Sequence, residues 1–344
     1  MRVAELIAPR QFRFREAPVA EPGPGEVLAR VAAVGVCGSD LHYYADGAVG
    51  DIACVYPQVI GHEPVGVIAK TGAGVTGWHP GDRVALEPAV YCYHCEFCLG
   101  GRHNLCRHLR FLSMPPDPGF LRDYATVPSQ NLLALPAEMD SRVGTLFEPL
   151  AVVLHSMHFV ALRAGETAAV FGAGPIGLLT IAVLKLAGAA RIWAVEPVAA
   201  RRELALRLGA DAALDPQATD PAREILSDTG LRGVDAAIDC AAKDNTINQC
   251  VAVARHAGRV VITGIPVAIQ VALDFHVMRR KELAYYIVRR SNHDSELALR
   301  LLREHPGRFT PMLTHAVPLD GVAAAFDMLE HYRDGVGKLV IDIG

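Results

Sequence analysis

The stretch YCYHCEFCLGGRHNLC, from Tyr91 to Cys106, gathers four of the chain's eight cysteines, Cys92, Cys95, Cys98 and Cys106. Thiolates with two residues between them can converge on one ion, and the fourth, after seven intervening residues, completes a tetrahedron. Four thiolates leave no coordination position for a substrate, so this stretch is expected to hold a structural zinc. His94 and His103 lie within it and are expected to be loop residues, because the thiols already complete a ligand set. A reactive metal must then be held elsewhere. VGVCGSDLHYY (Val34 to Tyr44) offers Cys37, and VIGHEPVG (Val59 to Gly66) offers His62 and Glu63. One thiolate, one imidazole and one carboxylate leave a fourth position open, which is the catalytic pattern. Singly each has a plain reading: Cys37 as a small buried hydrophobe, His62 as a satisfied core histidine, Glu63 as a turn residue. Nothing local joins them.

A second chemistry is signalled by TAAVFGAGPIGLL, which places Gly172, Gly174 and Gly177 in G-x-G-x-x-G spacing between an apolar strand and an apolar helix. The first glycine permits the tight turn, the second lets backbone approach a pyrophosphate, and the third packs helix on strand. The helix start then presents free N–H groups to phosphate. Glu196 closes the next strand, near the ~20-residue offset of the acid that binds ribose hydroxyls. A carboxylate there repels a 2′-phosphate, which favours NAD over NADP, although Arg201 and Arg202 follow closely. Cofactor contacts are expected from Gly172, Gly174, Pro175, Ile176, Gly177, Glu196 and Arg201. Thr263, Gly264 and Ile265, in the strand end GRVVITGIP, are expected to join them.

The elements that must position these residues fall into two kinds. Up to about residue 149 the chain reads as short strands and turns without a strong helical period. EVLARVAAVGV follows the turn PGPGE, and GHEPVGVIAKTG and GDRVALEP are further strands. From there strand and helix alternate: ETAAVFGAG, PIGLLTIAVLKLAG, RIWAVE, AARRELALRLGA, GVDAAIDCA, GRVVITGIP. Such alternation implies a parallel sheet with crossover helices. The pattern changes again near Arg289, and GVGKLVIDIG reads as a strand returning to the first domain. The fold class is thus α/β, with a β-rich domain at 1–149 and 290–344 and a doubly wound nucleotide-binding domain at 150–289. A chain of 344 residues exceeds what one core usually supports.

Taken in order, GHE, the four-cysteine loop and GAGPIG resemble the zinc-dependent medium-chain dehydrogenases over essentially the whole chain. CGSDLHYYADGAVG, PPDPGFLRDY and FEPLAV are similar to their polyol branch, the sorbitol, L-iditol and xylitol dehydrogenases. The resemblance implies a GroES-like catalytic domain and a Rossmann domain. It implies a catalytic zinc on Cys37, His62 and Glu63, with Glu148 as the acid that holds or replaces the zinc-bound water. It also implies a structural zinc on Cys92, Cys95, Cys98 and Cys106, hence two zincs per chain beside NAD. Ser39 and His42 match proton-relay positions, and Tyr43, Phe111 and Arg289 match substrate positions. Arg290, Ser291 and Asn292 depart from the sorbitol type, where an aromatic residue is expected. Whether Glu63 or Glu148 is the third ligand stays open.

The implied activity is hydride transfer from a secondary alcohol of a polyol to NAD. Other zinc dehydrogenases of the same fold, acting on L-threonine, a phosphorylated polyol or a simple alcohol, are alternatives. So is a non-catalytic nucleotide-binding protein. A formal charge of −4 gives no electrostatic reason to expect nucleic acid. No apolar stretch is read as reaching the ~18–20 residues that span a bilayer, and the N-terminus MRVAELIAPR lacks a signal-peptide pattern. A cytoplasmic enzyme with a small-molecule substrate is expected, forming a homo-oligomer, either tetramer or dimer. Cys54, Cys240 and Cys250 carry no assigned role.

Overall fold

The computed structural model describes residues 1–242 and 245–344. The chain divides into two compact units. The first comprises Met1–Ala151, Asn292–Pro306 and Leu313–Gly344; the second comprises Val152–Ser291 and Gly307–Met312. Each boundary thus lies two residues beyond its sequence-based position. The segment Gly307–Met312 groups with the second unit because Phe309 and Met312 are fully buried and the turn Thr310–Met312 packs on helix Ala199–Leu208.

The first unit is built on a seven-stranded sheet. Its path runs Leu132–Ala134, Arg83–Leu86, Glu63–Thr71, Glu26–Gly35, Lys338–Asp342, Leu313–Pro318, and Tyr124–Pro128 also pairs with Glu26–Gly35. Glu26–Gly35 has seven buried residues among its ten, so it is buried on both faces along most of its length. The core around it includes Val27, Val31, Val34, Leu86, Phe120 and Leu339. Within this region, which shows no strong helical period, Gly38–Ala45 nonetheless forms an α-helix. Its start is set by Cys37 as N-cap, whose N–H donates to the Asp40 carboxylate at 3.1 Å. Its far end is held by packing, since the Tyr44 ring lies 5.8 Å from Phe12 and 5.1 Å from Phe326. This short helix is what carries Ser39, His42 and Tyr43.

The second unit is a parallel six-stranded sheet in the order Ala212–Leu214, Arg191–Val195, Thr167–Phe171, Val234–Asp239, Ala254–Ile262, Ala284–Ile287. The order reverses between Arg191–Val195 and Val234–Asp239, on either side of the first strand, and a crevice at such a reversal is where nucleotides bind. Helix Pro175–Leu186 buries eight of its twelve residues, which its uninterrupted apolar run requires.

The membrane reading is corrected in one respect. Ser141–Val160 is twenty residues long with a mean hydropathy of 1.3, long and apolar enough to span a bilayer. That stretch is 72% buried within the protein, as a core helix is.

Candidate metal centre and cofactor site

Cys37, His62 and Glu63 are brought together in the first unit, with their ligand atoms within 4.8 Å of one another. Cys37 ends the loop after Glu26–Gly35, and Glu63 opens the neighbouring strand Glu63–Thr71. The residue that ties the two loops is Asp40, 1% exposed. Its Oδ1 lies 3.2 Å from His62 Nδ1 and accepts from Gly61 N–H at 2.9 Å and Ser113 Oγ at 3.3 Å. Its Oδ2 accepts from Cys37 N–H. With the Nδ1 proton committed to Asp40, His62 keeps Nε2 as an electron-pair donor, the tautomer a metal ligand needs. Burial disfavours the Asp40 anion, but His62 and the Gly61 and Cys37 amides outweigh it and lower its pKa. Burial likewise disfavours the His62 cation, but Asp40 and the Cys37 thiol raise it well above its usual value.

Glu63 is fully buried, and Oε1 has no hydrogen-bond partner among the described residues. A buried carboxylate oxygen of this kind calls for a cation. Sulfur, nitrogen and oxygen donors at this spacing fit zinc with a fourth position open. Glu148, in the first turn of helix Phe147–Val160, lies outside this three-ligand cluster but within reach of its charges. Burial raises its carboxyl to about 7; Glu63 and Glu87 add to the shift, while His62 and Lys338 oppose it.

Two other candidates lie beside His62. Ser39 Oγ is 3.5 Å from His62 Nε2, and the Phe111 ring is 5.3 Å from that of His62. Tyr43 is buried, whereas His42 is half-exposed and its Nδ1 sits 2.9 Å from Asp46. Arg289 belongs to the second unit, exposed just beyond strand Ala284–Ile287.

The four thiols of Cys92, Cys95, Cys98 and Cys106 also cluster within 4.8 Å. Cys92 N–H points at Cys106 Sγ and Cys95 N–H at Cys92 Sγ, both at 3.4 Å. Backbone N–H groups of Cys98 and Arg107 lower the Cys95 thiol to about 6. Burial and the neighbouring thiols push Cys98 up to about 12. Such opposed shifts are what crowded thiols show without a cation, and one zinc would hold all four as thiolates. His94 bonds to Cys92 O at 2.7 Å, and His103 Nδ1 meets His293 Nε2 at 2.5 Å. Asn292 donates to Gly101 O at 2.9 Å. The residues that depart from the sorbitol pattern therefore include a clasp on the cysteine lobe.

In the second unit, Gly172 adopts φ 92° and Gly174 caps helix Pro175–Leu186, with Pro175 and Ile176 in its first turn. A Cβ on Gly177 would overlap Gly172 O, so only glycine lets the helix approach the strand this closely. Glu196 Oε2 accepts from Ala173 N–H at 2.8 Å and Oε1 from Val198 N–H at 3.0 Å, which fixes the carboxylate beside the glycine turn. Arg201 is buried near Gly174, while Arg202 turns back to the Glu196 and Pro197 carbonyls and pairs with Asp215. Thr263 and Gly264 N–H groups both donate to Asp239 O, and Ile265 is exposed. Cys240 packs beneath the glycine loop, with burial pushing its thiol up to about 12.

Sequence reading missed Asp40, Asp239 and Lys338. The i, i+3 spacing of Cys37 and Asp40 is a helix-start signal that could have exposed the first.

Asp40→Asn keeps the shape but loses the charge behind His62. Its expected effect is a metal affinity ~10–100-fold weaker, the usual cost of losing such a partner. Competition against a chelator measures this, and an affinity equal to wild type would remove Asp40 from the role.

Comparison with known proteins agrees with this geometry. Residues 23–137 match the alcohol dehydrogenase GroES-like domain, and residues 175–304 match the zinc-binding dehydrogenase domain. The sorbitol dehydrogenase of Bacillus subtilis is 34% identical over 286 residues, covering 83% of this chain and 81% of that protein. The sorbitol dehydrogenase of Gallus gallus is 34% identical over 319 residues, covering 92% and 89%. The crystal structure of 2R,3R-butanediol dehydrogenase from Bacillus subtilis superposes with a TM-score of 0.88 at 30% identity, covering 100% of this chain and 99% of that one. A GroES-like domain, a parallel nucleotide-binding sheet and these relatives establish that the chain belongs to the zinc-dependent medium-chain dehydrogenases, within their polyol branch.

Proposed function

We propose that the protein oxidises a secondary hydroxyl of a sorbitol-, xylitol- or L-iditol-type polyol to the ketose, with NAD as hydride acceptor. The observation that carries the reading is the convergence of Cys37, His62 and Glu63 with Asp40 behind them. Zinc held there supplies Lewis acidity to a substrate hydroxyl, easing loss of its proton near neutral pH. Ser39, beside His62, takes up that proton. His42 is the next acceptor, with one ring nitrogen held by Asp46 and the other left for the relay. Glu148, with a carboxyl raised to about 7, holds the water that exchanges with substrate. Phe111 and Tyr43 form the pocket wall, and Arg289 contacts the substrate. NAD bound in the second unit would supply the hydride acceptor, so that alcohol and NAD⁺ would give ketone, NADH and one proton.

The cofactor sits on Gly172, Gly174, Pro175, Ile176 and Gly177, with Arg201, Thr263, Gly264 and Ile265 around it. Glu196 supports NAD over NADP, because its fixed carboxylate repels a 2′-phosphate and Arg202 is already tied to Asp215. A second zinc sits on the four cysteines, giving two per chain. All eight cysteines are free, which suits the reducing cytoplasm. A homo-oligomer is supported by the edge strand Ala284–Ile287, whose outer side has no partner strand among the described residues, and by exposed Ile269, Phe275 and Ile287 in the same unit.

Initial rates over sorbitol, xylitol, L-iditol, galactitol, threonine and ethanol are expected to be highest for a polyol, with two zincs counted per chain. Threonine or ethanol as the best substrate would overturn the polyol reading. Glu196→Ala is expected to narrow the preference for NAD by admitting NADP; an unchanged cofactor ratio would show that Glu196 does not discriminate. Ile287→Lys is expected to shift the mass measured by light scattering toward the monomer. An unchanged mass would move the interface elsewhere.

A further inference from the structure

Against the metal cluster lies a buried ammonium, that of Lys338, which the reaction scheme does not use. Glu63 opens strand Glu63–Thr71 and Lys338 opens strand Lys338–Asp342. These strands flank Glu26–Gly35, one on each side, and Gly35 lies opposite Glu63 in one register and Val340 in the other. A Cβ on Gly35 would fall on Glu63 Oε2 and lie 3.1 Å from Lys338 Cε. The glycine therefore leaves the space in which the two side chains meet across the middle strand. Both side chains are at 0% exposure, and the Lys338 ammonium contacts Glu63 Oε2. It also donates to Val36 O at 2.8 Å, next to Cys37. The remaining carboxylate oxygen, Oε1, has no hydrogen-bond partner among the described residues.

A carboxylate this deep, with neither water nor a counter-ion, is strongly unfavourable. Two cations can meet its need, the ammonium on the Oε2 side and a metal shared with Cys37 and His62. We propose that Lys338 is the built-in counter-charge of Glu63, which keeps the catalytic metal site folded without its ion and weakens the hold on that ion once bound. The proposal rests on the reading that Cys37, His62 and Glu63 hold the zinc. Its electrostatics are direct. The Cys37 thiolate and the Glu63 carboxylate balance a divalent cation, and the ammonium offsets the further negative charge of Asp40 behind His62. The ammonium repels the ion, eases its exchange, and suits a substrate hydroxyl that must lose a proton.

The test is a double-mutant cycle of Lys338→Met and Glu63→Gln, followed by thermal unfolding. It is run on zinc-loaded protein and on protein from which mild chelation has removed the ion at Cys37 but not that of the four cysteines, as checked by metal count. Lys338→Met is expected to lower the unfolding temperature several-fold more in the stripped protein than in the loaded one. Adding Glu63→Gln is expected to restore most of that loss. Lys338→Met with its zinc is also expected to release the ion to a chelator roughly tenfold more slowly. Equal losses with and without zinc, or no rescue by Glu63→Gln, would reduce Lys338 to a brace between strands. If Lys338→Met does not fold, a folded double variant supports the proposal and an unfolded one overturns it. Zinc titration of wild type against Cys37→Ser reports separately on the metal site. A failure of that reading would therefore be seen independently of the Lys338–Glu63 coupling.

Discussion

The architecture of the metal centre depends on one buried carboxylate. Asp40 receives Cys37 N–H, Gly61 N–H, the Ser113 hydroxyl and the His62 ring, so three separate segments of the chain close on a single side chain. Pairing of Gly35 with Glu63 brings the two ligand-bearing loops side by side, and Asp40 fixes how their ligands face one another. A carboxylate excluded from water must find donors, and here the donors it finds are the backbone and side chains of the ligand-bearing loops. Helix Gly38–Ala45 makes this possible, because it places Asp40 one turn after its own N-cap. The aromatic contacts of Tyr44 with Phe12 and Phe326 keep that helix from turning.

Around this point the first unit concentrates negative charge in a dry setting. Glu63 and Glu87 lie within electrostatic reach of Glu148, and burial drives Glu148 toward its neutral form. The balance is kept by His62, by Lys338 and by the metal the site is suited to hold. The cysteine lobe solves the same problem differently. Its four thiols form a closed set on a short, locally folded loop, and the Asn292 and His293 clasp ties it to a distant part of the chain. One centre is open and electrostatically poised. The other is closed, and its geometry follows from its own spacing.

The two units differed in how far they could be read beforehand. In the nucleotide-binding unit, each strand and helix carries its own periodicity. The run from Thr167 to Leu186 could be placed residue by residue, including the turn at Gly172 and the close approach at Gly177. The expected returning strand near the C-terminus is Lys338–Asp342, which pairs with Glu26–Gly35. The helix Gly38–Ala45 was not legible. Its eight residues are too few to show a period, and its stability comes from a cap and an aromatic contact with residues far along the chain. The helix across Glu148 was passed over for another reason: its apolar character is that of a buried core helix, and composition cannot separate that from a membrane span.

What the sequence determined by itself was local. It marked the glycine turn with its acid at Glu196 and the four-thiol set, because their chemistry resides in short spacings on one strand–helix unit or one loop. Resemblance extended this to Cys37, His62, Glu63 and Glu148. Only the tertiary structure groups Glu63 with Cys37 and His62, with Glu148 within electrostatic reach. Only the tertiary structure brings Asp40 against His62 and Lys338 against Glu63. The physical reason is separation along the chain. Lys338 and Glu63 meet because two strands from opposite ends of the sequence flank a third whose terminal residue has no side chain. No pattern in a linear sequence encodes a contact made across a sheet through the gap left by Gly35.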